Sequence, residues 1–441
     1  MKSKRFIKLT PSQLLVLVFV VSITIGTALL KLPFATTVPI KWVDALFIAT
    51  SAMTVTGLAT VDPGTTFTVY GQLIIAILIQ VGGLGIMSFA VLIFLVIGKK
   101  IGLKERILIQ HALNQTSLGG IIKLVKYLFI FSITIETIAM IFLAIRWVPE
   151  FGWSQGLFYS FFHAISAFNN AGIALWPDNL IRYVGDPLIN IVMSSLFIIG
   201  GIGFTVLVDI WHKRSFRRLS LHTKLMLVGT LVINVVAMFF IFVVEYSNPN
   251  TLGSLPLSDK LWASYFQAVS PRTAGFNTID IGSLDETSIF FIVILMFIGA
   301  GSGSTGGGIK LTTAIVIGLA TITFLKGKSE VVVSRRTIHY TTIVKALAIS
   351  MISVVFVIIS ILLLNVTEKQ ASFLDIMFEV VSAFGTVGLS TGITGDLTTI
   401  GKQLLIFIMF VGKLGPLTLM FSLAKPSKEK IRYPQEDILT G

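Results

Sequence analysis

Four short stretches carry the groups best suited to handling an ion: Thr54-Val55-Thr56-Gly57, Asn169-Asn170-Ala171-Gly172, Arg272-Thr273-Ala274-Gly275 and Gly385-Thr386-Val387-Gly388. Each closes on a glycine, an apolar residue follows (Leu58, Ile173, Phe276, Leu389), and a small residue stands five positions before the glycine (Ala52, Ala167, Ser270, Ala383). Glycine permits backbone angles that a β-carbon forbids, so a strand built from such a tetrad can turn its carbonyls to one side. Carbonyls converging from several strands can replace the water shell of a dehydrated cation. Half-helices ending just before the strands would direct their negative C-terminal dipoles at the same point.

The surrounding sequence must hold such strands in place. Of its 441 residues 12% are charged and 54% apolar, and the mean hydropathy is +0.90; an ordinary globular chain is roughly 25% charged. This composition implies an integral membrane protein. The absence of cysteine excludes a disulfide framework, a Cys-type zinc site, a thiol nucleophile and iron–sulfur ligation. His111, His163, His212, His222 and His339 show no paired metal spacing and read as surface or interfacial. No serine or aspartate constellation suggests hydrolysis, so neither an enzyme nor an organic cofactor is expected. The net charge of +13 could point to nucleic acid, but the basic residues lie in short connections between apolar spans, and no such partner is expected.

Apolar stretches of the ~17 to 25 residues that cross hydrocarbon lie near 13–30, 72–97, 122–147, 187–210, 222–245, 288–325, 341–365 and 402–424. Between each odd span and the next even one sits a half-apolar segment too short to cross, near 42–55, 157–171, 260–274 and 373–387, and each tetrad lies at the end of one. The expected fold is an all-α polytopic membrane protein of four repeats of span, re-entrant pore helix, glycine strand and span. The repeats are 13–97, 122–210, 222–325 and 341–424, joined by linkers 98–121, 211–221 and 326–340 and flanked by 1–12 and 425–441. Segments 1–12, 98–126, 211–224, 326–345 and 425–441 hold 24 of the 34 Lys and Arg against five acids, which places them and both termini in the cytoplasm. The run after Lys8 has no small-residue cleavage site before Pro33 and reads as a retained helix. The outer side carries 14 of the 21 acids, among them Asp44, Asp62, Asp178, Asp186 and Asp396, a negative field for an approaching cation.

Every repeat begins and ends in the cytoplasm, so the four are parallel and are expected around an axis normal to the membrane. The tetrad glycines are 115, 103 and 113 residues apart, and a second glycine mark (Gly82, Gly200, Gly299, Gly412) follows each by 25, 28, 24 and 24 residues. Non-helical backbone survives at membrane depth only where it is buried or faces water, and four strands meeting at a pseudo-fourfold pore meet that condition. Gly82, Gly83, Gly85, Gly200, Gly201 and Gly203 read instead as helix-packing positions. Serine at Gly83 is accordingly expected to leave ion selection alone.

In the third repeat, Gly299-Ala300-Gly301-Ser302-Gly303-Ser304-Thr305-Gly306-Gly307-Gly308 interrupts the span 288–325. Each interior glycine costs about 1 kcal/mol relative to alanine, so this span alone is expected to break, around a flexible loop at 299–310. It is not a phosphate-binding loop, because Gly308 is followed by Ile309, Lys310, Leu311 and Thr312. Gly301, Ser302, Gly303, Ser304, Thr305, Gly306, Gly307, Gly308 and the positive Lys310 form the candidate gate beneath the strands. The other charges inside spans are Glu136, Arg272 and Lys413, with Asp209 at a cytoplasmic end. Arg272 reads as a brace for its strand through carbonyls or an acid of the outer half.

Taken together these residues resemble the Trk/Ktr/HKT superfamily of potassium transporters, and within it the Ktr-type ion-translocating membrane subunits, over essentially the whole chain. The resemblance rests on the four glycines, on Ser270-Pro271-Arg272-Thr273-Ala274-Gly275-Phe276 and on Gly412-Lys413-Leu414-Gly415-Pro416-Leu417-Thr418. Trk-type relatives carry two extra N-terminal helices, whereas the first repeat here starts by residue 13; sodium-preferring plant relatives have serine where this chain has Gly57. The resemblance implies a potassium pore of the bacterial cell membrane, with K+ at the carbonyls of Gly57, Gly172, Gly275 and Gly388. It implies that the loop is the gate, with Lys413 beside it where the family usually has arginine. It further implies a homodimer in membrane lipid, a separate cytoplasmic ring of nucleotide-binding KtrA-type subunits, and Na+ as a modulator. A sodium- or proton-coupled symporter is the alternative; inverted repeats and a mid-membrane acid pair would mark it, and the sequence has neither.

Overall fold

The computed structural model describes residues 11–85, 88, 121–423, 434 and 436. The N-terminal segment to residue 10, the end of the first repeat, linker 98–121 up to residue 120 and the tail other than 434 and 436 lie outside the described residues.

The chain is mostly helical. Its first helices are α1 (Pro11–Leu30), α2 (Trp42–Thr54) and α3 (Val69–Leu84). Then come α4 (Ile121–Phe168), α5 (Pro187–Ile202) and α6 (Phe204–Lys213). A third group comprises α7 (Leu221–Glu245), α8 (Leu257–Val269), α9 (Glu286–Phe297) and α10 (Leu311–Leu325). The last comprises α11 (Tyr340–Thr367), α12 (Phe373–Gly385), α13 (Thr399–Leu414) and α14 (Pro416–Leu423).

Among the described residues α1, α4, α7 and α11 are long and apolar enough to cross a membrane, and they coincide with the expected first spans. Within α4 the helical geometry fails at Gly152 (φ 81°), three residues after Pro149, so the long run is a span followed by the expected half-helix. The other half-helices, α2, α8 and α12, have 13 residues each, about 20 Å of helix. Apolar side chains are distributed accordingly. Ile141, Val235, Phe239, Ile358 and Leu362 on the first spans are exposed, whereas α2 and α12 are buried over most of their length.

The second spans depart from expectation. The third breaks between α9 and α10 as its glycines predict, but it is not alone: α5 and α6 meet at Gly203 (φ 106°) with a bend of 94°. α3 ends at Gly85 (φ 84°), and Gly415 (φ 80°) separates α13 from α14. Gly85 and Gly203 are therefore helix breakers rather than simple packing positions. Hydropathy does not register the break, because the flanking residues stay apolar. Nor is the fold strictly all-α: in linker 326–340, Val332–Val333 pairs antiparallel with Arg336–Thr337, turned by Ser334 and Arg335 at positive φ as a two-residue hairpin requires.

Several polar residues of the connections fix helix starts and ends. Thr68, Asp186, Asp285, Ser372 and Thr398 cap α3, α5, α9, α12 and α13 by accepting first-turn N–H bonds, each worth about 1 kcal/mol. Buried Glu245 and Glu368, at the ends of α7 and α11, accept from the backbone N–H of Asp285 (2.9 Å) and Thr398 (3.1 Å). Lys402 of α13 meets Asp44 of α2 at 3.0 Å, with both side chains largely buried, and so joins the last group of helices to the first. Removing one partner of such a buried pair costs about 3–5 kcal/mol.

Candidate functional site

Each half-helix ends by the same backbone device. Val55, Asn170, Thr273 and Thr386, two residues before the tetrad glycines, take left-handed φ values of 52°, 58°, 73° and 49°, and Gly57, Gly172, Gly275 and Gly388 follow at 99°, 67°, 73° and 91°. In three repeats the N–H of the residue before the glycine (Thr56, Ala171, Val387) returns to the carbonyl of Ser51, Ser166 or Ser382 at 2.8–2.9 Å. The helix is thereby closed off, and the tetrad carbonyls beyond it have no intrahelical partners.

The same serines tie the strands to the helices. Ser166 and Ser382 donate to the carbonyls of Ile173 (2.7 Å) and Leu389 (2.6 Å), and Ser270 donates to that of Phe276. Ser51 and Ser382 accept from Gly57 N–H (3.0 Å) and Gly388 N–H (3.1 Å). The tetrad pattern does not single them out, although a serine recurs six positions before the glycine in three repeats. In the third, Ala274 N–H returns to Ser270 at 2.9 Å, a turn one residue shorter that contains Pro271. Ser270 is thus the counterpart of Ser51, not of Ala52 as the small-residue spacing suggests.

The four tetrads meet in a closed cycle. A β-carbon on Gly57 would lie 2.5 Å from the carbonyl oxygen of Ala171; on Gly172, 2.9 Å from that of Ala274; on Gly275, 2.3 Å from that of Val387; and on Gly388, 2.2 Å from that of Thr56. Each glycine therefore packs on the carbonyl that precedes the next repeat's glycine, and the fourth returns to the first. The Cα atoms of neighbouring tetrad glycines lie only 2.7–3.4 Å from the same positions. There is no space at this junction for any side chain larger than hydrogen.

The tetrad side chains are held by bonds within and between tetrads and to the helices behind them. Thr54 and Thr56 share a hydrogen bond of 2.8 Å, and Val55, Ala171, Ala274 and Val387 are buried among apolar neighbours. Asn169 reaches back to Gln80 and Glu136. Asn170 donates to Thr273 Oγ1 (3.1 Å). Arg272 leaves its strand for α7, where Nη1 meets Thr230 Oγ1 at 3.4 Å and Nε has no partner. The expected brace through carbonyls or an acid is not what the structure contains.

The glycine-rich segment lies directly against the tetrads, and it is anchored rather than free. Ile298 and Ile309 form a bridge, Gly301 N–H donates to Gly201 (2.8 Å), and Phe204 N–H donates to Gly303 (3.0 Å). Thr305 Oγ1 donates to Asn170 Oδ1 (2.9 Å), and Gly307 N–H donates to Thr386 Oγ1 (2.8 Å). Two lysines hold consecutive loop carbonyls: Lys413 Nζ donates to Thr305 O (2.5 Å) and Lys310 Nζ to Gly306 O (2.6 Å). Ser302 shares a hydrogen bond with Thr312. Gly301 and Thr305–Gly307 are buried, while Ser302, Gly303, Ser304 and Gly308 are half-buried. All ten expected gate residues are therefore in or on this one segment.

Residues 6–433 match the sequence pattern of the TrkH family, cation transport proteins. The chain belongs to that family. It is 60% identical to the Ktr system potassium uptake protein B of Bacillus subtilis over 99% of this chain and 98% of that protein. It is 43% identical to the protein of the same name from Vibrio alginolyticus over 94% and 92% of the two chains. The potassium/sodium uptake protein NtpJ of Enterococcus hirae is 37% identical over 100% and 99%. Among solved structures, the potassium transporter TrkH from Vibrio parahaemolyticus superposes with a TM-score of 0.75 at 20% identity, covering 96% of this chain and 87% of that one; the fold is TrkH-like.

Two placements in this TrkH-family chain revise sequence expectations. Gly82, Gly200 and Gly412 are packing positions, their missing β-carbons falling 1.9–2.1 Å from the carbonyls of Met53, Phe168 and Phe384. Gly83, however, packs on the side chain of Asn169 (2.1 Å to Oδ1), so serine there would push on a tetrad residue and is no neutral control. His163 is not at a surface. It is fully buried, stacked on Trp176 at 4.3 Å, with Nδ1 bonded to Tyr159 O and Nε2 accepting from Leu175 N–H.

Proposed function

We propose that this chain is the potassium-translocating membrane subunit of a Ktr-type uptake system, a channel-like pore in the bacterial cell membrane. Four parallel repeats surround a pseudo-fourfold axis, and the four tetrads are the selectivity filter, with K+ held by carbonyls about Gly57, Gly172, Gly275 and Gly388. One observation carries this reading: the cycle in which every tetrad glycine packs on a carbonyl of the next tetrad. Such a cycle supplies converging dipoles in place of a hydration shell. The ion follows from the relatives, two of them named potassium uptake proteins and the third potassium/sodium. The segment 299–310 acts as the gate, with Lys310 and Lys413 keeping it closed. Both termini face the cytoplasm, where a ring of nucleotide-binding KtrA-type subunits docks on a homodimer of this chain, and sodium modulates transport.

Reconstituted alone in liposomes, the chain is expected to pass potassium down its gradient, in preference to sodium, with no sodium or proton gradient imposed. Flux that requires such a gradient would replace the pore by a symporter. Orientation is tested in the cysteine-free background. Asp396→Cys, exposed beyond the fourth tetrad, should react with an impermeant thiol reagent outside intact cells, and Ser215→Cys should not. Labelling of position 215 from outside would invert the topology.

A further inference from the structure

Glu136 lies in the span part of α4 with 9% of its surface exposed. Among the described residues no lysine or arginine is paired with it. Carboxyl groups at such depth are costly to retain and mark function by default. Its neighbours form a compact network drawn from three places in the chain. Gln80 Nε2, on α3, donates to both carboxyl oxygens (3.1 and 3.2 Å). Ser132 Oγ, one turn earlier on α4, donates at 2.7 Å. Asn169 Nδ2, at the end of the half-helix, donates to Glu136 Oε1 (3.3 Å), to Gln80 Oε1 (2.6 Å) and to Ile165 O (2.9 Å). Gly83 closes the far side, its absent β-carbon falling 2.1 Å from Asn169 Oδ1.

Asn169 opens the second tetrad, and the residue after it makes the left-handed turn into the strand. Clamping the Asn169 amide therefore fixes where that strand begins. The carboxyl is the acceptor shared by Gln80, Ser132 and Asn169, so it is the anchor of the network. The corresponding tetrad positions, Thr54, Arg272 and Gly385, have no carboxyl hydrogen-bonded to them among the described residues, so the second strand alone is held this way.

We propose that Glu136 is a positioning residue for ion selection. Acting through Gln80 and Asn169, it sets the register of the second strand's carbonyls without touching the ion's path. The inference rests on the pore reading above. In liposomes, Glu136→Gln presents an amide to groups that are themselves donors, and it is expected to lower the potassium/sodium flux ratio about tenfold while potassium still passes. The exchange Gln80→Glu with Glu136→Gln returns a carboxyl to the other side of the same hydrogen bonds and should bring the ratio back to within about threefold of wild type, since coupled partners are non-additive. Ser132→Ala removes one donor and leaves the carboxyl in place. It should lower the ratio about threefold, and it decides the matter if Glu136→Gln fails to insert. A potassium-selective wild type with unchanged ratios in these single variants, or no recovery in the exchange, overturns the proposal. A wild type without potassium preference overturns the pore reading instead.

Discussion

Replacing Gly57 by serine is expected to remove most of the preference for potassium over sodium, lowering the flux ratio about 30-fold, or ~2 kcal/mol. Gly57 sits at φ 99°, a conformation whose strain for a residue with a β-carbon is about 1–3 kcal/mol. The new β-carbon would stand 2.5 Å from Ala171 O, 3.1 Å from Gly388 Cα and 3.2 Å from Gly172 Cα. All three are backbone atoms of other tetrads, so no rotamer change can absorb the clash, and the carbonyl cycle itself must move. The serine hydroxyl would then offer a ligand to a smaller ion. Gly318→Ala is the suitable control, because a methyl there meets nothing within 4 Å. A Gly57→Ser protein that keeps the wild-type ratio in liposomes would remove Gly57 from the filter.

The second large effect concerns the anchored segment beneath the tetrads. Lys310 and Lys413 each donate from Nζ to a loop carbonyl, and leaving such a buried acceptor without its donor costs about 1–3 kcal/mol apiece. Lys310→Met combined with Lys413→Met should shift a closed loop toward open by about 3 kcal/mol and raise potassium flux per inserted protein at least tenfold, up to the limit of a fully open pore. Selectivity should persist, since the tetrad turns keep their own serine bonds. Deleting Gly301–Gly308 is a less clean experiment than the sequence suggests. It also removes the bonds from Thr305 to Asn170 and from Gly307 to Thr386, so higher flux with weakened selectivity is expected from it. Unchanged or reduced flux in the well-folded lysine double variant would mean that the segment is a brace and not a gate.

The tetrads, the half-helices and the break in the third repeat were legible because each is written in a local run of residue types, and so was the TrkH-like family. What escaped is of two kinds. Gly85, Gly203 and Gly415 end their helices, yet within Gly82-Gly83-Leu84-Gly85 and Gly200-Gly201-Ile202-Gly203 a glycine that bends a helix looks the same as one that packs it, and only Gly415 has a following proline to mark it. The side-chain anchors were hidden by distance: Asn169 lies 89 residues from Gln80 and Lys413 lies 108 from Thr305. No periodicity reports such a pairing. Arg272 was visible as a charge in an apolar setting, but its direction, toward Thr230 42 residues away rather than toward carbonyls, is another pairing across distance.

The shortened turn around Pro271 bears on inheritance. In an assembly of four identical chains, a mutation strikes every corner of the central opening at once, and most such changes are intolerable. Here one chain supplies all four tetrads of the cycle, so each can differ from the others. One tetrad carries two asparagines, another opens on the arginine of a proline–arginine pair in a tighter turn, and the fourth begins with glycine. The corner with the tighter turn belongs to the same quarter of the chain that supplies the ten-residue glycine-rich insert. Tetrads that differ in sequence and in turn length, yet pack on one another in a single cycle, are accessible to a single polypeptide and closed to a symmetric tetramer.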